Sequence, residues 1–234
     1  MYTTYVFSPP GRAYVPVQGQ AERFAVRRIF CVGRNYAEHV REMGGDVSRD
    51  PPVFFTKPAD AIVHDGVDVA YPPRTANLHH EVELVVAIGR GGAAIDIAAA
   101  PAHVWGYAVG NDLTRRDLQN AAKDSGLPWD MSKAFDASAP VGALVSAENA
   151  NLAADARIWL DVNGTRRQDA TLAQMIWSVP EIIATLSTYV RLEPGDLVFT
   201  GTPAGVGPLV AGDVVTAGID GLPGLAHRVV AAGE

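Results

Sequence analysis

With 234 residues, 48% of them hydrophobic and 19% charged, the chain can build one substantial core and is not a disordered tail. A net charge of -7 with no basic run longer than Arg-Arg argues against nucleic-acid binding, and no apolar run approaches the ~18 residues of a membrane span. Cys31 is the only cysteine, which excludes an internal disulfide and a cysteine-rich zinc site; with no basic, apolar leader over residues 1–10, the reading is a cytoplasmic protein.

The 23 glycines and 16 prolines are spread along the chain, so turns punctuate many short segments of one body. Residues 28–32 and 53–56 read as apolar strands, with a short helix predicted between them over 36–43 and stopped by Gly44-Gly45. Strands follow over 81–88 and 105–110. Thr114-Arg115-Arg116-Asp117 has the form of a capping box, opening a helix that ends near Gly126 and Pro128. A strand over 157–162 runs into Asn163-Gly164, a two-residue hairpin signal. Ser178-Val179-Pro180-Glu181 opens another capped helix, running to Arg191. Pro194-Gly195-Asp196 and Ala211-Gly212-Asp213 place turns before strands over 197–200 and 213–217. Many strands with segregated helices favour an α+β fold, a β-rich mixed roll with a few peripheral helices, over alternating βαβ units. Residues 1–24 are expected to pack on a single domain spanning 25–234.

Within this pattern the acidic residues stand out. Glu81 and Glu83 open an apolar, β-branched run, and residues two apart on a strand share a face. Like charges side by side on such a strand are costly unless neutralised. An isolated Glu-x-Glu on a solvated face would need no partner, but Asp112 ends the next strand, expected at a sheet edge, and adds a third carboxylate. Three carboxylates without cysteine suit a hard cation, Mg²⁺ or Mn²⁺. His79 shares the face of Glu81 and Glu83, which leaves a mixed nitrogen and oxygen site open.

His39 and Glu42, three apart, are neighbours on one helical face, where a carboxylate fixes the imidazole tautomer and raises its basicity. The Gly33-Arg34-Asn35 lead-in puts cationic and amide donors at a strand-to-helix turn suited to anion binding. Lys57 and Lys133 lie in apolar or constrained surroundings and either snorkel to solvent or supply charge to a substrate anion. Thr200-Gly201-Thr202-Pro203 reads as a tight turn offering a hydroxyl and amide donors. The glycine runs at 89–92 and 205–207 match neither a Walker loop nor a dinucleotide fingerprint, and no serine-hydrolase elbow occurs.

Taken in order, Cys31-Val32-Gly33-Arg34-Asn35-Tyr36, Phe55-Thr56-Lys57-Pro58, His80-Glu81-Val82-Glu83-Leu84, Asn111-Asp112 with Arg116-Asp117, Lys133-Ala134-Phe135-Asp136 and Thr200-Gly201-Thr202-Pro203 resemble the fumarylacetoacetate hydrolase family over about residues 25 to 230. Arg27 through Tyr36 and Ile176-Trp177-Ser178-Val179 look most like its short acylpyruvate hydrolases, particularly the bacterial fumarylpyruvate hydrolases of gentisate breakdown. The resemblance implies a β-rich roll, usually a homodimer, with Mg²⁺ or Mn²⁺ held by Glu81, Glu83 and Asp112, and it demotes His79. It implies that His39 and Glu42 activate water from a mobile lid and that Lys133 stabilises a developing enolate. Arg34, Lys57, Gln119 and Thr202 would line the site of a 2,4-dioxo acid. The implied reaction is hydrolysis of 3-fumarylpyruvate to fumarate and pyruvate in aromatic catabolism, with oxaloacetate decarboxylation or 2-oxo acid tautomerisation as the alternative on the same metal. A non-catalytic binding module would leave the three carboxylates without a reason.

Overall fold

Seven consecutive buried residues form the strand on which the fold is organised, β8 (Val82–Ile88). In the computed structural model, which describes residues 4–44 and 50–232, β8 lies inside a mixed sheet. The order is β4 (Val53–Lys57), β3 (Arg28–Gly33), β15 (Asp196–Phe199), β8, β9 (Val104–Asn111), β11 (Ala139–Val141) and β5 (Ile62–His64), with β12 (Val145–Ser146) also on β9. The β15–β3 and β11–β5 pairs are parallel and the others antiparallel. A second sheet runs β14 (Thr165–Thr171), β13 (Arg157–Val162), β17 (Val214–Ile219), β18 (Leu225–Val230) and β6 (Val69–Ala70).

From Leu84 to Ile88, β8 reads as a continuous apolar run because both its faces are covered. Val82, Leu84, Val86 and Ile88 join Ile158, Leu160, Val215 and Ala217 of the second sheet in one core. Val85 and Ala87 face the other way, into a core with Val15, Val141 and Leu144. The first of these belongs to β1 (Tyr14–Pro16), which pairs with β2 (Arg23–Ala25). Helices are few and peripheral: α1 (Ala37–Glu42), α2 (Arg116–Asp124), α3 (Asp130–Lys133) and α4 (Val179–Tyr189). The fold is the expected strand-rich α+β roll. Among the described residues no helix is long and apolar enough to cross a membrane.

The local signals hold where one short-range interaction decides the outcome. Asn163 (φ 51°) and Gly164 (φ 74°) take the paired positive φ values of a type I′ turn between β13 and β14. Ser178 caps α4 reciprocally with Glu181, although the helix ends at Tyr189, short of Arg191. α1 spans Ala37–Glu42, one residue inside the predicted 36–43 at each end; Gly45 of its stop signal lies outside the described residues.

Three expectations are corrected. Thr114 does not cap a helix: Thr114–Arg115 is a strand, β10, paired with β7 (Leu78–His80), and β16 (Gly207–Leu209) lies on β7's other side. Buried Thr114 donates its hydroxyl back to the Asp112 carbonyl, and α2 starts only at Arg116. Glu81 is not in β8 but in the break between β7 and β8, where its N–H donates to the Asn111 side chain. Asp112 leaves the end of β9, an interior strand and not a sheet edge.

Candidate active site

The β8–β9 register builds the acidic cluster. Val82 faces Asn111 and Glu83 faces Gly110, so the residues just beyond, Glu81 and Asp112, meet, the Asp112 N–H donating to the Glu81 carbonyl at 2.8 Å. Gly110, opposite Glu83, leaves room for the neighbouring core: a Cβ there would come within 2.5 Å of Val85 and 2.7 Å of Phe199. Glu81, Glu83 and Asp112 are all buried, and each offers a carboxylate oxygen within 4.8 Å of the others.

Cations surround two of the three. The Lys133 ammonium lies 2.7 Å from Glu81 Oε2, Asp112 Oδ2 and the Thr114 hydroxyl. Lys57 Nζ lies 2.8 Å from Asp112 Oδ1 and also donates to the carbonyls of Leu113 and Lys133. Arg116 pairs with the other Glu81 oxygen and donates to Gln119 Oε1. Burial alone would raise the Glu81 carboxyl, but Lys133 and Arg116 outweigh it and hold the group below the usual carboxylate range. Burial likewise works against the Lys133 ammonium, and Asp112 and Glu81 raise it nonetheless.

Glu83 has no such partner among the described residues. It accepts one N–H, from Gly201 at 2.7 Å, and burial together with Asp112 and Glu81 pushes its carboxyl well above the usual range. A buried, ion-free carboxylate facing two others is the condition a hard divalent cation relieves, and three oxygen donors are the set that Mg²⁺ or Mn²⁺ takes, with water or ligand completing the shell. The residues present fit that cation.

The cluster opens into a cavity of about 160 Å³, also lined by Arg34, His39, Arg116, Gln119, Lys123, Trp129, Lys133 and Thr202. His39 is buried, with Nδ1 3.2 Å from Glu42 Oε2, and Glu42 Oε1 accepts the Gly205 N–H at 3.0 Å. Partial burial would raise Glu42, but the His39 hydrogen bond and the Gly205 amide outweigh it, and the carboxyl sits below its usual value. The six-residue α1 that carries this pair has no side-chain N-cap; Asn35 anchors it instead. The Asn35 amide donates to the Thr200 and Trp177 carbonyls and its oxygen accepts the Trp177 N–H. Asn35 is therefore not free to bind an anion as the lead-in suggested.

Other sequence expectations shift. Neither lysine snorkels: Lys57 and Lys133 are 3% and 2% exposed. Lys57 does not line the cavity, because its ammonium is bonded behind Asp112. His79 lies outside the carboxylate group; its ring accepts from Arg116 Nε at 3.4 Å, and burial followed by the Arg116 charge lowers it to about 4. Thr202 and Gln119 reach the cavity as expected.

Sequence reasoning missed Gln168. Its buried side chain on β14 bonds to His80 Nδ1, accepts the Val82 N–H, and donates to the Thr202 hydroxyl and Pro203 carbonyl. It thus ties the second sheet to the strand bearing Glu83 and to the Thr202 turn. Nothing local flags a glutamine 86 residues from its partner. Gln168→Leu should lower unfolding free energy by about 1–3 kcal/mol in urea titrations by orphaning the buried Val82 N–H; an unchanged midpoint would contradict the network.

Residues 28–230 match the family described as Fumarylacetoacetate (FAA) hydrolase C-terminal. The mitochondrial oxaloacetate tautomerase FAHD1 of Mus musculus is 47% identical over 203 residues, covering 87% of this chain and 91% of that protein. A fumarylpyruvate hydrolase of Ralstonia sp is 45% identical over 177 residues, covering 76% of this chain and 92% of that one. The crystal structure of fumarylpyruvate hydrolase from Pseudomonas aeruginosa in complex with Mn²⁺ and pyruvate is similar at a TM-score of 0.95 and 49% identity, covering 97% of this chain and 100% of that chain.

Proposed function

Since the chain belongs to the fumarylacetoacetate hydrolase family, we propose that this enzyme hydrolyses the C3–C4 bond of a 2,4-dioxo acid, with 3-fumarylpyruvate giving fumarate and pyruvate. One observation carries the reading: His39, held by Glu42, lines the same cavity as the carboxylate cluster. Decarboxylation or tautomerisation needs no activated water, whereas hydrolysis does. Glu81, Glu83 and Asp112 would hold Mg²⁺ or Mn²⁺, which when bound supplies a Lewis acid to the oxygens of a 2-oxo acid, worth several kcal/mol.

The chain's own residues do the rest. Glu42 fixes the His39 tautomer with the proton on Nδ1, leaving Nε2 as the base. His39 takes a proton from water as its oxygen bonds to C4, and ionised Glu42 stabilises the resulting imidazolium. The C3–C4 bond then breaks, its electron pair passing into the enolate of pyruvate, and His39 returns the proton to C3. Lys133 contributes a fixed positive charge near the developing enolate, while Arg34, Gln119 and Thr202 hold the substrate. Lys57 acts at one remove, by balancing Asp112. The same reading makes the protein a cytoplasmic homodimer of gentisate catabolism, with residues 25–234 as its catalytic domain.

A second reading, oxaloacetate tautomerisation or decarboxylation, is favoured by the identity to the mouse tautomerase. Turnover of 3-fumarylpyruvate, acetylpyruvate and oxaloacetate by one Mn²⁺-loaded preparation separates the two. Higher kcat/KM for a dioxo acid than for oxaloacetate is expected; the reverse order would overturn the hydrolase assignment.

A further inference from the structure

Among the described residues four Lys and Arg side chains line the cavity, and two of these have carboxylate partners. Lys133 is bonded to Glu81 and Asp112, and Arg116 to Glu81. Arg34 and Lys123 have no carboxylate partner among the described residues. Arg34 stands at the turn after β3 with φ 62°. Lys123, in the last turn of α2, has its ammonium 5.3 Å from the centroid of the Trp129 ring. The same indole packs on the residue before Arg34: a Cβ on Gly33 would lie 3.3 Å from it. Trp129 therefore contacts both the Lys123 ammonium and the backbone leading into Arg34, and all three residues line the cavity. Other arginines that might hold an anion are excluded by position, since Arg41 pairs with Glu38 at the surface and Arg115 lies over Phe135, 4.5 Å from its centroid.

We propose that Arg34 and Lys123 form a second anion subsite that takes the far carboxylate of the substrate, selecting acylpyruvates whose acyl group ends in a carboxylate over those ending in a methyl group. The assignment deepens the hydrolase reading and rests on it for the identity of the near end. Unpaired cations facing a cavity are held at an electrostatic penalty that an anionic ligand removes. Consistent with this, burial, followed by the charges of Arg116, Arg34 and Lys133, depresses the Lys123 ammonium to about 8.

The test is the ratio of kcat/KM for 3-fumarylpyruvate to that for acetylpyruvate. Lys123→Gln should lower the ratio about 10- to 100-fold, mainly through KM for the dicarboxylate, and Lys123→Arg should restore most of it. A ratio unchanged in Lys123→Gln, or an equal loss on both substrates, would overturn the subsite. Should that variant fold poorly, Arg34→Asn, which tolerates the positive φ, should lower the ratio likewise, and an unchanged ratio there would count equally against it. Calorimetric titration with fumarate and with crotonate, the same skeleton with one carboxylate, reads the subsite without turnover. Wild-type preference for fumarate that disappears in Lys123→Gln supports the subsite even if neither dioxo acid is hydrolysed, in which case the hydrolase reading alone falls. No preference in the wild type, or one retained by the variant, overturns it.

Discussion

His39→Ala lowers turnover of 3-fumarylpyruvate by about 10²–10⁴-fold, the usual worth of a positioned general base, and leaves Mn²⁺ affinity within about twofold. The two readouts separate because the imidazole and the carboxylate cluster line one cavity but belong to different parts of the fold. His39 sits on the short α1 and is held by Glu42, which in turn accepts the Gly205 amide. The acidic cluster is fixed independently by the β8–β9 register. Glu42→Gln should fall between the wild type and His39→Ala, since it can keep a hydrogen bond to His39 but cannot stabilise the imidazolium. Absorbance decay of the dioxo acid under single-turnover conditions and calorimetric Mn²⁺ titration check both. Near-normal turnover by His39→Ala would show that another group activates the water.

Glu83→Gln has the second large effect, and its sign depends on the metal. Stripped with a chelator, the variant should be more stable than the stripped wild type, because it removes a buried acid whose ionisation no cation among the described residues compensates. With Mn²⁺ at about 100 times Kd, the wild type gains about 2.7 kcal/mol, or roughly 5–10 °C in Tm, and the variant gains almost none and is inactive. The pH dependence has a definite direction. Below the unfolded carboxyl value both states are protonated at Glu83. As pH rises past it, the unfolded chain releases the proton first, so the stripped wild type loses stability relative to Glu83→Gln until Glu83 ionises in the folded state. Differential scanning across pH 4 to 9 would record this as a widening Tm gap. A stripped variant less stable than the stripped wild type at neutral pH would mean that Glu83 is already balanced by the protein.

How far the sequence could be read depended on the range of the interaction. Leu84 to Ile88 announced a strand because burial on both faces leaves no polar position to interrupt it, and Asn163-Gly164 and Ser178 through Glu181 carry their partners within a few residues. The carboxylate cluster was legible for a similar reason: two of its members are two residues apart and the third closes the next strand. Thr114 misled because a capping box and a buried strand-end threonine share one local spelling, and only the pairing with β7 distinguishes them. Lys57 read as a cation free to reach solvent or a substrate until the fold placed it on Asp112, 55 residues away, and Arg116, read as part of a capping box and a motif, reaches Glu81 across 35 residues. Asn35 and Gln168, which hold the turn into α1 and the Thr202 turn, act across separations of 165 and 86 residues. No pattern within a window of the chain contains such contacts. The small sheet of β10, β7 and β16 escaped because strands of two or three residues show no period.

The central claim is that one divalent ion lies among Glu81, Glu83 and Asp112. Crystals grown with Mn²⁺ and measured at its absorption edge address it directly. The account predicts one anomalous peak per chain, with an oxygen of each carboxylate at about 2.0–2.3 Å and Lys133 still within hydrogen-bonding distance of Asp112. Carboxylates splayed apart around solvent, or a manganese peak elsewhere in the chain, would contradict it.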